Sequence, residues 1–468
     1  MKGNEPSFGQ GKPNMSDLSR GQKGCMTLPL AEFVAGLNYE TIPQEVIRFT
    51  KTCLLDLLGS AFAAIGTPLS IAAGKFSEGA FGKGHVTRWD TGKKTSVAGA
   101  TWINSALASA IDIDDGHRLA VGHPGAAIIP AAIGLGEYVS APGKRLQEAI
   151  VAGYEVAIRV SASRNPLQIE NVATGGWGGF GAAMAASKLL SHSVPMIQNT
   201  LGLTAMCGPR LPGHFPGGRR MVKEGIPWSA VAGASSALLA HAGFTGPEDV
   251  FESLPLYDAD KILEGLGKEF LILKTYFKRY PCCRWLHPVI EGCLALMAEG
   301  DFQTSHIQSV RVQTFSRAFS LPNRSHPQTL EEAQFSIPFC SALAMTQKET
   351  GFYHIRPQDL DNPEVLRLAE KVILERNPRF DETFPERILS RVTTETQKGK
   401  FEKECSTTKG DPDRPFSEEE LEEKYLHYAQ PVLGRRRAHR LRDLILNLEE
   451  VSIDDLMPLL GLRREGQK

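Results

Sequence analysis

Gly125-Ala126-Ala127-Ile128-Ile129-Pro130-Ala131-Ala132-Ile133-Gly134-Leu135-Gly136-Glu137-Tyr138 is unusually rich in alanine, and two later stretches, Gly179–Leu190 and Ser229–His241, share that texture. Alanine is the best helix former, and its small side chain lets helix axes approach closely. Several such stretches in one region indicate a compact all-helical domain. Upstream, Ile42–Ala64 carries an apolar stripe at three- and four-residue spacing, with Pro43 near its first turn. From about Leu28 to Leu266 the pattern stays helical, punctuated by glycine clusters at Thr174–Gly181 and Pro212–Gly218.

After about Lys274 the texture changes. Ile307–Phe315 alternates as a strand, with Val310 and Val312 on one face, and Arg387–Cys405 reads as a hairpin turning near Gln397-Lys398-Gly399. Helical stretches at Glu331–Thr346 and Pro363–Glu375 lie between them. Helical pattern resumes at Ser417-Glu418-Glu419-Glu420, an N-cap followed by an acidic first turn. The expected fold is therefore mainly α: a large all-helical domain with an inserted smaller α+β lid domain. The boundaries read as a disordered tail over 1–26, helical domain over 27–273, lid over 274–410, and returning helical segment over 411–468.

Composition narrows the function classes. Among 468 residues, 52 Lys and Arg balance 53 Asp and Glu, which argues against a nucleic-acid or anionic-membrane partner. Arg435-Arg436-Arg437 reads as a solvated helix face. The eight cysteines form no CxxC pair and no zinc-spaced ladder, so they are expected as reduced thiols of a cytoplasmic protein. No apolar run spans a bilayer, and the Gly-, Pro-, Ser- and Lys-rich start does not read as a secretory signal.

Chemistry concentrates in Asp112-Ile113-Asp114-Asp115-Gly116-His117 and the nearby His123-Pro124-Gly125. Crowded carboxylates raise at least one pKa and create proton-transfer groups. The same aspartates also suit helix capping or a divalent-metal site, although no further ligand cluster is evident. His123 stands beside a helix N-terminus, where the dipole favours anions. Arg219, Arg220 and Lys223 precede another helix, and Lys278, Arg279, Arg284 and His287 form a third basic group. Three basic clusters and one acidic cluster suit a ligand with two or three carboxylates. Gly175-Gly176-Trp177-Gly178-Gly179 fits neither a phosphate loop nor a dinucleotide fingerprint, and no GxSxG elbow occurs.

These residues resemble the MmgE/PrpD family, which includes 2-methylcitrate dehydratases, cis-aconitate decarboxylases and iminodisuccinate epimerases. The resemblance runs from Thr27 to about Gly461. It rests on Leu54-Leu55-Asp56-Leu57-Leu58-Gly59, the Asp112–Gly125 block and Gly243-Phe244-Thr245-Gly246-Pro247. Tyr280-Pro281-Cys282-Cys283-Arg284-Trp285-Leu286-His287 and Ala333-Gln334-Phe335-Ser336 complete it. The resemblance implies a homodimer, a site between the two domains, and no metal or organic cofactor. Asp112 and His123 match the family's active-site Asp and His. Lys278 and His287 fall in its lid-entry segment, and its basic residue before the Gly225 helix is Arg220 or Lys223.

Three positions depart from the decarboxylase branch: Gly116 replaces a Thr, Glu170-Asn171-Val172-Ala173 lacks a histidine, and Phe339 replaces a lid tyrosine. These departures argue against cis-aconitate decarboxylation specifically. The leading expectation is a lyase that eliminates water from a small citrate-type polycarboxylate. His123 or Asp112 would be the base, His287 the acid, and Arg220, Lys223 and Lys278 the carboxylate clamp. Asp115, His117, Arg219 and Arg284 would complete the substrate-binding set. An epimerase of an amino- or imino-dicarboxylate and a non-catalytic carboxylate-binding protein are the alternatives.

Overall fold

A computed structural model describes residues 26–165, 173–209, 221–252, 256–347, 352–406 and 408–462. The expected tail thus lies outside the described residues apart from Met26. The fold is mainly α, as the alanine-rich stretches imply. Those stretches form the helices Pro124–Tyr138, Gly178–Leu189 and Ile226–His241. The 178–189 helix is the hub. It packs on both of the others and on the Gly143–Ala162 helix. At its crossing with 143–162 the backbones nearly touch: a Cβ on Gly181 would stand 2.7 Å from the Gly153 carbonyl oxygen, and one on Gly153 2.9 Å from that of Gly181. Only glycine permits that approach.

Buried apolar side chains fall into two clusters. The first draws on residues from Leu30 to Phe277 and again from Leu421 to Leu460. The second runs from Tyr280 to Val392. The chain returns to the first cluster through the Glu418–Leu433 helix, which lies on the Gln44–Ala63 helix. Its start is fixed as expected: the Ser417 hydroxyl accepts the Glu420 N–H (3.2 Å), and the Glu420 carboxylate accepts the Ser417 N–H (2.7 Å).

The second cluster is built on a four-stranded sheet in the order 372–376, 307–314, 390–396, 399–405. Val310 and Val312 are fully buried on its inner face, and the hairpin turns where Thr396 pairs with Gly399. Two expected helices differ. The one proposed over Pro363–Glu375 ends at Ala369, and Val372–Arg376 becomes a strand parallel to Ile307–Thr314. The alternating Val372-Ile373-Leu374 run gains a complete ladder there, which tertiary pairing favours over local helix propensity. The stretch proposed over Glu331–Thr346 is two helices, Leu330–Ala333 and Ile337–Gln347. The break between them carries Gln334 to the site described next.

Gly116–His117 pairs antiparallel with Thr275–Tyr276, tying the acidic block to the segment that leads into the second cluster. Among the described residues, no single helix is long and apolar enough to cross a membrane.

Candidate active site

Asp112 follows the end of the Val97–Ser109 helix in a left-handed backbone conformation (φ 57°), which Asp tolerates better than most residues. The turn aims its carboxylate at two ammonium groups. Lys223 Nζ lies 3.0 Å from Oδ1, and Lys278 Nζ lies 3.0 Å from Oδ2 and 3.0 Å from the Asp112 carbonyl oxygen. All three residues are buried. Burial opposes ionisation of Asp112, but the Lys223 and Lys278 charges overcome it and hold the carboxyl well below the usual range. For Lys278 burial likewise opposes the charge, and the Asp112 and Asp114 carboxylates outweigh it, raising its pKa.

Lys223 also approaches from strained backbone: Lys223 (φ 41°) and Glu224 (φ 60°) both lie in the left-handed region, just before Gly225 opens the 226–241 helix. Such strain persists where surrounding contacts over-determine it. Here Lys223 Nζ also donates to Gln334 Oε1 (2.9 Å) and lies over the Phe335 ring at 5.5 Å. Gln334 Nε2 in turn donates to the Ala110 carbonyl (3.1 Å). Of the two residues considered for the basic position ahead of this helix, Lys223 meets Asp112. Arg219 and Arg220 lie outside the described residues, as does Val172.

His123 is the N-cap of the 124–138 helix and is partly exposed. Its backbone N–H donates to the Thr174 hydroxyl (3.0 Å), which itself donates to Glu224 Oε2 (3.1 Å). The ring Nδ1 lies 2.8 Å from the Asp115 carbonyl oxygen. A carbonyl can only accept, so Nδ1 carries the proton and Nε2 keeps its lone pair. This is the tautomer a general base needs.

Asp115 sits behind the histidine. Its two oxygens are taken by the Gly125 N–H (3.0 Å) and the Tyr154 hydroxyl (2.5 Å), so it caps the same helix. Burial pushes its carboxyl up to about 7; Asp114 and Asp56 add to the rise, while the two donors oppose it. The folded protein therefore holds a proton that the unfolded chain, at the ordinary 3.8, has released. Stability from this group is full below pH 3.8 and is lost as pH rises through about 7. Asp115→Asn is expected to flatten that slope, which urea denaturation of both proteins across this range would measure.

The remaining expected residues have other partners. His117 donates from Nε2 to the Leu271 carbonyl (3.1 Å) and accepts the Ala120 N–H at Nδ1 (3.4 Å); burial pushes it down to about 4. Arg284 pairs with Asp411, which Arg118 shares at 2.9 Å. His287 is fully buried, with Nε2 3.3 Å from the Cys282 carbonyl and Nδ1 without a hydrogen-bond partner among the described residues. Burial, then the Arg284 and Lys278 charges, push it well below its ordinary value. It is thus a neutral imidazole whose free nitrogen accepts. Below the acidic block, Lys424 reaches Asp56 (2.5 Å) and the Ile113 carbonyl (3.1 Å) from the 418–433 helix. Among the described residues no group of three or more His, Cys, Asp or Glu has the arrangement of a metal site.

Residues 29–255 match the family profile described as the MmgE/PrpD N-terminal domain, and residues 280–450 match the MmgE/PrpD C-terminal domain. The chain belongs to the MmgE/PrpD family. Its relatives include the cis-aconitate decarboxylase-like protein oryM of Aspergillus oryzae, 23% identical over 480 residues, covering 94% of this chain and 98% of that protein. The cis-aconitate decarboxylase of Homo sapiens is 22% identical over 450 residues, 91% of this chain and 92% of its own. That of Mus musculus is 22% identical over 451 residues, with 91% of each chain covered.

Within this MmgE/PrpD chain two departures acquire physical reasons. A Cβ at Gly116 would stand 2.3 Å from Tyr276 Oη, so the tyrosine ring occupies the space a threonine would need. Gly116→Thr is expected to displace Tyr276 and destabilise the fold by about 1–3 kcal/mol, as overpacking does. Urea denaturation would measure the loss, and Tyr276→Ala in the same chain should recover most of it. Phe339 is fully buried in the second cluster, a packing role that a phenol could fill only with a partner for its hydroxyl.

Proposed function

We propose that this protein is a lyase acting on a small citrate-type polycarboxylate, and that His123 begins the reaction by removing a proton alpha to a carboxylate. The observation that carries this reading is one arrangement: an imidazole at a helix N-terminus whose Nδ1 donates to a carbonyl, beside an aspartate block in which Asp112 gathers two buried lysines. Proton removal places negative charge on the adjacent carboxylate as an enolate-like intermediate. Lys223 and Lys278, both gathered on Asp112, are the groups suited to stabilise it. The electron pair left on carbon forms the double bond as the neighbouring C–O bond breaks. The departing hydroxide takes a proton and leaves as water. Because Nδ1 of His287 is an acceptor, the protonated His123 is the better candidate donor for that step.

Decarboxylation of a cis-aconitate-like substrate is the second reading. It is favoured by the names of relatives that align over more than nine-tenths of the chain, and opposed by Gly116 and Phe339. Both readings need carboxylate recognition; they differ in which bond breaks.

Citrate, 2-methylcitrate, cis-aconitate and iminodisuccinate, each incubated with the protein in deuterated water, separate the possibilities. Alkene and water formed from citrate or 2-methylcitrate support dehydration, and carbon dioxide release with a solvent deuteron taken up on carbon supports decarboxylation. Exchange without an alkene indicates an epimerase. Binding with neither exchange nor turnover across the panel would overturn the catalytic reading.

A further inference from the structure

We infer that Asp114 is the counter-ion of His123, a positioning residue that makes this imidazole a stronger base. Asp114 is buried, and neither of its carboxylate oxygens has a hydrogen-bond partner among the described residues. Its Oδ2 lies 3.6 Å from His123 Nδ1. The other carboxylates of the block are already engaged: Asp112 by two lysines, Asp115 by Tyr154 and Gly125, and Asp56 by Lys424. Asp114 alone among them is left without a contacting donor.

A buried carboxylate with no donor is costly to maintain. That cost is offset at the moment His123 accepts a proton at Nε2. The new positive charge spreads over the ring to Nδ1, beside Asp114, in a place where solvent screens little. Neutral His123 donates Nδ1–H to the Asp115 carbonyl, which fixes the ring; the imidazolium gains the Asp114 charge in addition. The resulting preference for the protonated ring makes Nε2 a better proton acceptor.

Other charged groups face this pair. Lys278 comes from the segment after Thr275–Tyr276, Asp56 from the 44–63 helix, and Asp112 and Asp115 from the block itself. Lys278 is bound to Asp112, and Lys424 closes the far side by holding Asp56 and the Ile113 carbonyl. None of these cations contacts Asp114.

The inference rests on His123 being the base, and its test needs no substrate. In protein carrying ring-labelled histidine, the pH midpoint of the His123 imidazole is followed by NMR in the wild type, Asp114→Asn and Asp114→Glu. Asparagine removes the charge without breaking any hydrogen bond of the carboxylate. The midpoint is expected to fall by about 1–3 units in Asp114→Asn and to return most of the way in Asp114→Glu, which restores the charge. An unchanged midpoint in Asp114→Asn would overturn the assignment. A lowered midpoint together with undiminished turnover by His123→Ala would uphold the counter-ion while removing His123 as the base.

Discussion

Asp112→Ala should lower folding stability by about 3–5 kcal/mol, because it leaves Lys223 and Lys278 buried with no carboxylate between them. Lys278 is fully buried, and among the described residues its ammonium is bound only to the side chain and carbonyl of Asp112. A loss of this size is a large fraction of the 5–15 kcal/mol that holds a typical domain together. Its pH dependence follows from the raised pKa of Lys278. The stabilisation is present below the ordinary lysine value of 10.5 and is lost only as pH rises through the higher folded value. The deficit should therefore be present at neutral pH and shrink in strongly alkaline buffer, where the intact protein loses this stabilisation. Equilibrium denaturation of the two proteins at neutral and alkaline pH would measure both the size and the trend.

His123→Ala should leave the fold largely intact and lower kcat by about 10²–10⁴-fold, the usual contribution of a positioned general base. The ring is partly exposed, and its Nδ1 holds a single carbonyl. The helix it caps keeps the Asp115 carboxylate on the Gly125 N–H. A rate loss with unchanged stability is thus the signature expected of His123, and lost stability that of Asp112. Measuring kcat and urea midpoints on both variants distinguishes a proton-transfer group from the electrostatic frame around it.

Much of this frame could be read before any coordinates. The alanine-rich stretches, the Ser417 cap and the hairpin at Gln397-Lys398-Gly399 are local signals, each set by residues a few positions apart. Val372–Arg376 was less legible, because its strand exists only through a parallel partner some sixty residues earlier in the chain. The acidic block was visible as a crowd of carboxylates, yet nothing in its spacing separates Asp112 on two lysines from Asp115 on a helix cap. Lys223 and Lys278 reach Asp112 across 111 and 166 residues, and two of the turns that aim these groups use left-handed backbone at Asp112 and Lys223. Lysine does not announce such a conformation, and aspartate merely tolerates it. Gln334 was visible as part of a family motif, but its role depends on a helix break that only the packing of the second cluster imposes. Asp114 was counted with its neighbours. Its distinction, the absence of a contacting donor, is a property of the assembled site.

In the proposed reaction the lysines on Asp112 receive a substrate carboxylate while His123 faces the carbon beside it. A crystal structure with tricarballylate, a citrate analogue that lacks the hydroxyl needed for elimination, tests this most directly. A carboxylate of the ligand is expected within hydrogen-bonding distance of Lys223 or Lys278 Nζ, with His123 Nε2 directed at the adjacent methylene. A ligand bound elsewhere, with Nε2 of His123 turned away from it, would rule out these roles for Lys223, Lys278 and His123.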